Sequence, residues 1–249
     1  MSPEKKMSKR QAMREKRQRQ EKMQRLGMIA VVVVGALLVA FALIYPNLKP
    51  IGEVTSADPS ERPMVNDNSM GDPNAPIKIE EFSDFQCPYC GRFYEETEWQ
   101  IAQSYVADGT VQFTYRSFGD FIGPESQASA EAAYCAGEQN KYWEYHDILF
   151  ANQTGENVGA YTDRRLQAFA EALSLDMDTF NNCLNSGKYA DRVTQDQIDG
   201  KAAGVTGTPA FVITYTVDGQ EKQRFISGAY PFSEFQTQIE EALTEMGLK

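Results

Sequence analysis

Four residues, Cys87-Pro88-Tyr89-Cys90, constrain this 249-residue chain more than any others. The apolar stretch before them, Pro76-Ile77-Lys78-Ile79-Glu80-Glu81-Phe82, predicts a strand. After them, the spacing of apolar residues predicts a helix over about 88–107, ended by Asp108-Gly109. A Cys-x-x-Cys at a strand-to-helix turn places its first sulfur at a helix N-terminus. Free backbone N–H groups and the positive end of the macrodipole favour a thiolate there. Pro88 suits the first helical turn, where its missing N–H costs nothing. The two sulfurs can close and open a small-ring disulfide, which is the equipment of thiol–disulfide exchange. The competing use of the motif is half of a zinc site, which needs a second ligand pair of similar spacing. Cys135 and Cys183 stand apart and His146 is the one histidine, so no metal and no cofactor is expected.

The charge is split along the chain. Residues 1–25 hold ten Lys or Arg against three Glu, whereas the whole chain carries −11, which leaves −18 for the rest. An acidic main body argues against nucleic acid as a partner. Residues 26–45, from Leu26 to Tyr45, contain no charge. At about 1.5 Å per residue, such a helix spans roughly the 30 Å hydrocarbon core of a bilayer. The basic stretch before it predicts a cytoplasmic N-terminus, a membrane anchor over 26–45 and an extracytoplasmic remainder. A cleaved signal peptide is the alternative. Ala40-Phe41-Ala42 has the small-x-small pattern but lies inside the apolar run. In both cases the thiols face a compartment where disulfides persist. Residues 46–72, with Pro46, Pro50, Pro59 and Pro63 among polar residues, read as a flexible linker.

From residue 73 to 249 the pattern is globular. Period-two alternation predicts a strand over 111–116. Apolar spacings of three to four predict helices over 126–138, 141–152, 163–173, 177–186 and 190–203. Strands return at 210–215 and 223–226 around Asp218-Gly219, a hairpin signal, and a last helix is expected over about 232–246. The order β-α-β, helices, β-β-α predicts an α/β fold: a thioredoxin-like sheet with an inserted helical domain over about 123–203, preceded by one transmembrane helix.

Residues from about 70 to 247 resemble the DsbA-type thiol–disulfide oxidoreductases, especially the membrane-tethered forms of the thioredoxin-like superfamily. The resemblance is carried by Gly71-Asp72-Pro73-Asn74-Ala75-Pro76, by Glu81-Phe82-Ser83-Asp84-Phe85-Gln86-Cys87-Pro88-Tyr89-Cys90, by the helical insertion, and by Gly204-Val205-Thr206-Gly207-Thr208-Pro209-Ala210-Phe211. Family members often carry histidine before the second cysteine, where this chain has Tyr89. A tyrosine adds no cationic charge at neutral pH, so an oxidant of intermediate strength is expected.

Cys87 is the expected nucleophile and Cys90 the resolving thiol. Glu81 shares strand parity with Ile77 and Ile79, which puts it on an apolar face. A carboxyl there has a raised pKa and can relay the Cys90 proton, a role the resemblance also implies. The resemblance further implies that Pro209 is cis and faces the cysteines. Thr208 and Pro209, with Pro88 and Tyr89, then make the substrate-binding surface, the Thr208 backbone pairing with an extended substrate chain. Outside the membrane, two leftover cysteines usually pair, so Cys135 and Cys183 are expected to form a structural disulfide, the alternative being a second redox pair. His146 falls on a helix face with Trp143 and Phe150 and is expected to be packed rather than catalytic.

The expected function is oxidation of reduced exported proteins, with reoxidation by a membrane thiol oxidase. Two other readings remain open: a reductase for one exported client, and a redox-inert tethered assembly factor.

Overall fold

The structure, a computed structural model, describes residues 9–48, 50–57, 62–119 and 121–249. It divides into a unit ending at Ile51 and a unit running Gly52–Lys249. The first is a single helix, α1 (Lys9–Leu48), in which the basic and apolar stretches are continuous. Its segment Met13–Tyr45 is long and apolar enough to cross a membrane, with a mean hydropathy of 2.9 in its most apolar window.

The second unit is built on a mixed five-stranded sheet of order β1-β3-β2-β4-β5. The strands are β1 (Ser69–Met70), β2 (Ile77–Ser83), β3 (Val111–Ser117), β4 (Ala210–Val217) and β5 (Gln220–Ser227). β2 pairs parallel with β3, Ile79 lying opposite Phe113, and antiparallel with β4, where Glu81 lies opposite Phe211. Buried and half-buried residues alternate along β3, as the period-two pattern requires. Asp218 and Gly219 take left-handed conformations (φ 52° and 75°) to join β4 to β5. α9 (Phe232–Glu245) returns to the sheet. There Phe235 meets Phe93 at 5.4 Å and Phe211 at 4.7 Å between ring centroids. Each such fully buried ring contributes about 1.5–3 kcal/mol.

The helix after the cysteine motif is not a uniform α-helix. α2 (Pro88–Phe93) passes into a π-helical turn (Tyr94–Glu98), a short α3 (Trp99–Ile101) and a second π-helical turn (Ala102–Val106). Its inward side falls on every fourth residue: Cys90, Tyr94, Glu98, Ala102 and Val106. A straight helix of 3.6 residues per turn would rotate that stripe off the sheet, and the π-helical turns keep it facing inward.

Five helices fill the expected insertion: α4 (Pro124–Gly137), α5 (Tyr142–Ala151), α6 (Asp163–Ala172), α7 (Met177–Asn185) and α8 (Ala190–Ala202). A disulfide between Cys135 and Cys183 joins α4 to α7.

The expected linker over 46–72 is corrected, among the described residues, from Val54 onward. Val54 packs against the hydrophobic core. The Thr55 N–H donates to Asn152 Oδ1 (2.9 Å), and Asn152 Nδ2 donates back to the Thr55 carbonyl (2.7 Å). Arg62 is buried, and Ser69–Met70 form the edge strand beside β3. Prolines and polar residues here shape an irregular segment whose backbone groups find side-chain partners, a composition shared with a free tether. Residues 49 and 58–61 of that expected linker lie outside the described residues.

Candidate functional site

β2 ends on Ser83, and the chain turns through Asp84, Phe85 and Gln86 into α2. Asp84 builds the turn: its Oδ1 accepts the Gln86 N–H at 2.8 Å and its carbonyl accepts the Cys87 N–H at 3.0 Å. Cys87 is thereby the N-cap residue of α2 with extended backbone (φ −72°, ψ 121°), and Pro88 is the first helical residue. The Cys87 carbonyl accepts the N–H groups of Cys90 and Gly91, each at 3.1 Å.

The helical insertion grips this turn from behind. Gln153 Nε2 donates to the carbonyls of Phe85 (2.6 Å) and Cys87 (3.0 Å). The Tyr161 hydroxyl donates to the Phe85 carbonyl (2.9 Å), and Gln86 Nε2 donates to the Ser126 hydroxyl (2.7 Å). These positioning residues were not found from the sequence. Each contact joins residues 40 to 76 positions apart, and no local pattern marks it.

From the front, the Thr208–Pro209 peptide is cis and Pro209 lies directly before β4. Cys87 Sγ is 3.3 Å from the Thr208 carbonyl, to which its thiol donates. Tyr89 and Thr208 line a groove of about 290 Å³ with Arg92, Ser227, Gly228, Ala229 and Tyr230. Tyr89 is 57% exposed. Pro209 is buried and does not line the groove, and Pro88, though exposed, does not line it either.

Cys87 and Cys90 are both thiols here, and their environments push them apart. The Cys90 thiol donates a hydrogen bond to the Cys87 sulfur, the largest cause of a fall in the Cys87 pKa to about 6. The Thr208 side chain and the N–H groups of Cys90 and Tyr89 add to it, against the cost of burial. Burial pushes Cys90 well above the usual thiol range, with the charges of Cys87 and Glu81 adding to the effect. Glu81 is 1% exposed. Burial raises its pKa well above the carboxylate range, and the charge of Glu98 raises it further. Asp84 is raised to about 6, again by burial. The result is a sulfur at the helix N-terminus that ionises easily, a second sulfur behind it that keeps its proton, and a carboxyl that keeps its own. Among the described residues, no group of three or more His, Cys, Asp or Glu is arranged to hold a metal ion.

Comparison with known proteins places this arrangement. A family model described as thioredoxin matches residues 64–241. A Na(+)/H(+) antiporter NhaA 1 of Salinispora arenicola is 32% identical over 148 residues, 59% of this chain; the match spans about a fifth (21%) of the antiporter. A probable disulfide bond formation protein D of Bacillus cereus is 29% identical over 149 residues, 58% of this chain and 68% of that protein. The oxidised crystal structure of BdbD from Bacillus subtilis superposes with a TM-score of 0.62 at 21% identity, covering 76% of this chain and all (100%) of that one.

Proposed function

This chain belongs to the thioredoxin family, and we propose that it is a DsbA-type thiol–disulfide oxidoreductase that introduces disulfides into exported proteins. The observation that carries the reading is the contrast between Cys87 and Cys90. Cys87 sits at the N-terminus of α2 facing the Thr208 carbonyl, its pKa drawn down to about 6, whereas Cys90 is sealed behind it. The relative named for disulfide bond formation supports the same reading.

In the working cycle, a substrate thiolate attacks Cys87 Sγ of the Cys87–Cys90 disulfide. The S–S bond breaks, Cys90 leaves as a thiolate, and Glu81 supplies the proton that its buried sulfur requires. A second substrate thiolate then attacks the substrate sulfur of the mixed disulfide and expels Cys87 as a thiolate. The substrate is oxidised by two electrons and the enzyme reduced by two. The low pKa of Cys87 makes it a good leaving group and favours the reduced enzyme, which is the oxidase direction. Tyr89 and Thr208 flank the extended substrate segment.

A membrane thiol oxidase regenerates the disulfide. The basic stretch before the apolar part of α1 supports an N-terminus in the cytoplasm and a catalytic domain outside it. The paired Cys135 and Cys183 fit an oxidising compartment.

The test is oxidation of a reduced two-thiol model protein by the oxidised full-length chain. The expected result is stoichiometric oxidation and its loss in Cys87→Ser; offered the oxidised (disulfide) form of the model protein instead, Cys90→Ala should hold it as a mixed disulfide on Cys87, the partner sulfur leaving as a thiolate. A reduction potential near the thioredoxin value of about −270 mV would move the assignment to a reductase. On intact cells, a membrane-impermeant thiol label should reach Cys87 after mild reduction; labelling only after lysis would reverse the orientation.

A further inference from the structure

Arg62, Glu98, His146 and Asp147 form a charged cluster in the interior, none of their side chains more than 3% exposed. Arg62 Nη2 donates to Glu98 Oε1 (2.6 Å) and to Asp147 Oδ1 (2.8 Å), and Arg62 Nη1 donates to Asp147 Oδ2 (2.8 Å). His146 Nδ1 lies 2.9 Å from Asp147 Oδ1. On the other side of the ring, Nε2 stands 3.5 Å from Glu98 Oε2, and neither atom has a hydrogen-bond partner among the described residues.

Three features single out that gap. One guanidinium faces two carboxylates, so with a neutral imidazole the buried cluster is one positive charge short, an expensive condition away from water. With Nδ1–H donated to the Asp147 carboxylate, Nε2 presents a lone pair to an oxygen that also presents only lone pairs. One proton satisfies both. Finally, the rings of Phe85, Tyr94, Tyr115, Trp143 and Phe150 surround the imidazole, with the closest centroid at 4.9 Å and the farthest at 5.7 Å. These edge-on rings fix the imidazole in place and offer the Nε2–Oε2 gap no hydrogen bond of their own.

We propose that His146 Nε2 and Glu98 Oε2 hold one shared proton, and that His146 is thereby a positioning residue for thiol exchange, cancelling the charge that Glu98 would otherwise present to Glu81. This rests on the reading of Glu81 as the proton partner of Cys90. The titratable and charged groups around the pair come from every side. They are Arg62 from the segment before β1, Tyr94 from the π-helical turn that also carries Glu98, Asp147 on α5, Tyr115 on β3, and Glu81 on β2. Of these, Glu81 links the cluster to the cysteines: it lies opposite Tyr115 in the β2–β3 register, and the Tyr115 ring packs on His146 at 5.1 Å, so the Glu98 charge is felt at the Glu81 carboxyl.

His146 is the only histidine in the chain, so its ring can be read without assignment. In the full-length protein, labelled with 15N-histidine and held in detergent micelles at pH 7, Nε2 should resonate as a protonated or strongly hydrogen-bonded nitrogen. A resonance at the free lone-pair position overturns the proposal, whatever the activity. Two variants test the link to exchange, followed as the rate at which the oxidised protein takes electrons from a reduced dithiol peptide across pH. Glu98→Gln leaves Arg62 balanced by Asp147 beside a neutral His146, so the charge near Glu81 is unchanged and the Glu81 limb of the profile should stay in place. His146→Phe fits among the same rings, leaves Glu98 short of its proton and should move that limb to higher pH. Loosened packing alone does not separate the two variants in this way: the limb should move by about one unit, the size of a like-charge effect, in His146→Phe only, and an equal shift in both variants, or none in His146→Phe, overturns the positioning role. Should His146→Phe fail to fold, His146→Gln repeats the same charge test and the ring resonance still decides on the shared proton. If Glu81→Gln leaves the profile intact, the reading of Glu81 falls, and the positioning role with it, while the resonance still reports on the shared proton.

Discussion

Lowering the pH should weaken the reduced protein selectively. Cys87 titrates near 6 in the folded protein, against about 8.5 in an unfolded chain. A thiol whose folded value is depressed contributes stability that is fully present above the unfolded value. That stability is lost as pH falls through the folded value, here over a window from about 8.5 down to 6. The whole interval is worth about 3 kcal/mol, of which about 1.4 kcal/mol is expressed at pH 7. The disulfide form has no Cys87 thiol to titrate. In the difference between the two redox forms, groups that do not sense the cysteines therefore cancel. For a two-electron couple, 1.4 kcal/mol makes the disulfide about 30 mV more oxidising than the same site with an ordinary thiol. Both tryptophans, Trp99 and Trp143, lie in the catalytic domain, so their fluorescence follows its unfolding in the full-length protein in detergent. Urea titrations of the reduced and oxidised forms at pH 5, 7 and 9 should show the reduced form gaining about 2.4 kcal/mol on the oxidised one across the range, the raised Cys90 thiol offsetting about 0.8 kcal/mol of the Cys87 gain at pH 9. A flat difference, or an equal slope in reduced Cys87→Ser, would refute the argument that Cys90, Thr208 and the first amides of α2 hold a thiolate at Cys87.

Replacing Cys135 and Cys183 together by alanine opens a loop of 48-residue separation. The loss should be about 4 kcal/mol in the chain-entropy model, read from the urea midpoint, with the exchange rate per folded molecule unchanged. Gln153→Ala removes two bonds to the cysteine turn, at about 1 kcal/mol each, and should speed amide hydrogen exchange at Cys90 and Gly91. Asp84→Asn keeps the acceptor for the Gln86 N–H and removes the charge. Because the Asp84 pKa is raised to about 6, the stability of its acid form is lost as pH rises from the unfolded value of about 3.9 to that value. The variant should therefore gain about 3 kcal/mol on the parent at pH 8, about 1.5 kcal/mol at pH 5 and little at pH 3, measured by unfolding at each.

Local periodicity carried the sheet and the insertion well. The alternation of Val111, Phe113 and Tyr115 marks β3, and the five helical stripes fall within about two residues of α4 to α8, because each element buries one face of its own. Strand parity likewise placed Glu81 inward. What the pattern does not hold is contact between distant segments. Glu98 lies in a run with exposed Glu95 and Glu96, and only the π-helical turn and the arrival of Arg62, 36 residues away, distinguish it. The chain from 62 to 72 reads as linker because its order comes from side chains elsewhere, not from its own spacing. Gln153 and Tyr161 belong to the same class: polar residues whose partners are backbone carbonyls of the cysteine turn.

The bridge between α4 and α7 means that the chain is born unfinished. A newly made copy carries four thiols, and before it can serve any client it must acquire a bond of the same kind it is proposed to make. Of the two pairs, Cys87 and Cys90 are joined by a short loop and find each other first, whereas Cys135 and Cys183 wait for helices 48 positions apart to meet. Under the proposed function, a reduced copy presents the same feature as any client, two thiols held apart in the chain until folding brings them together.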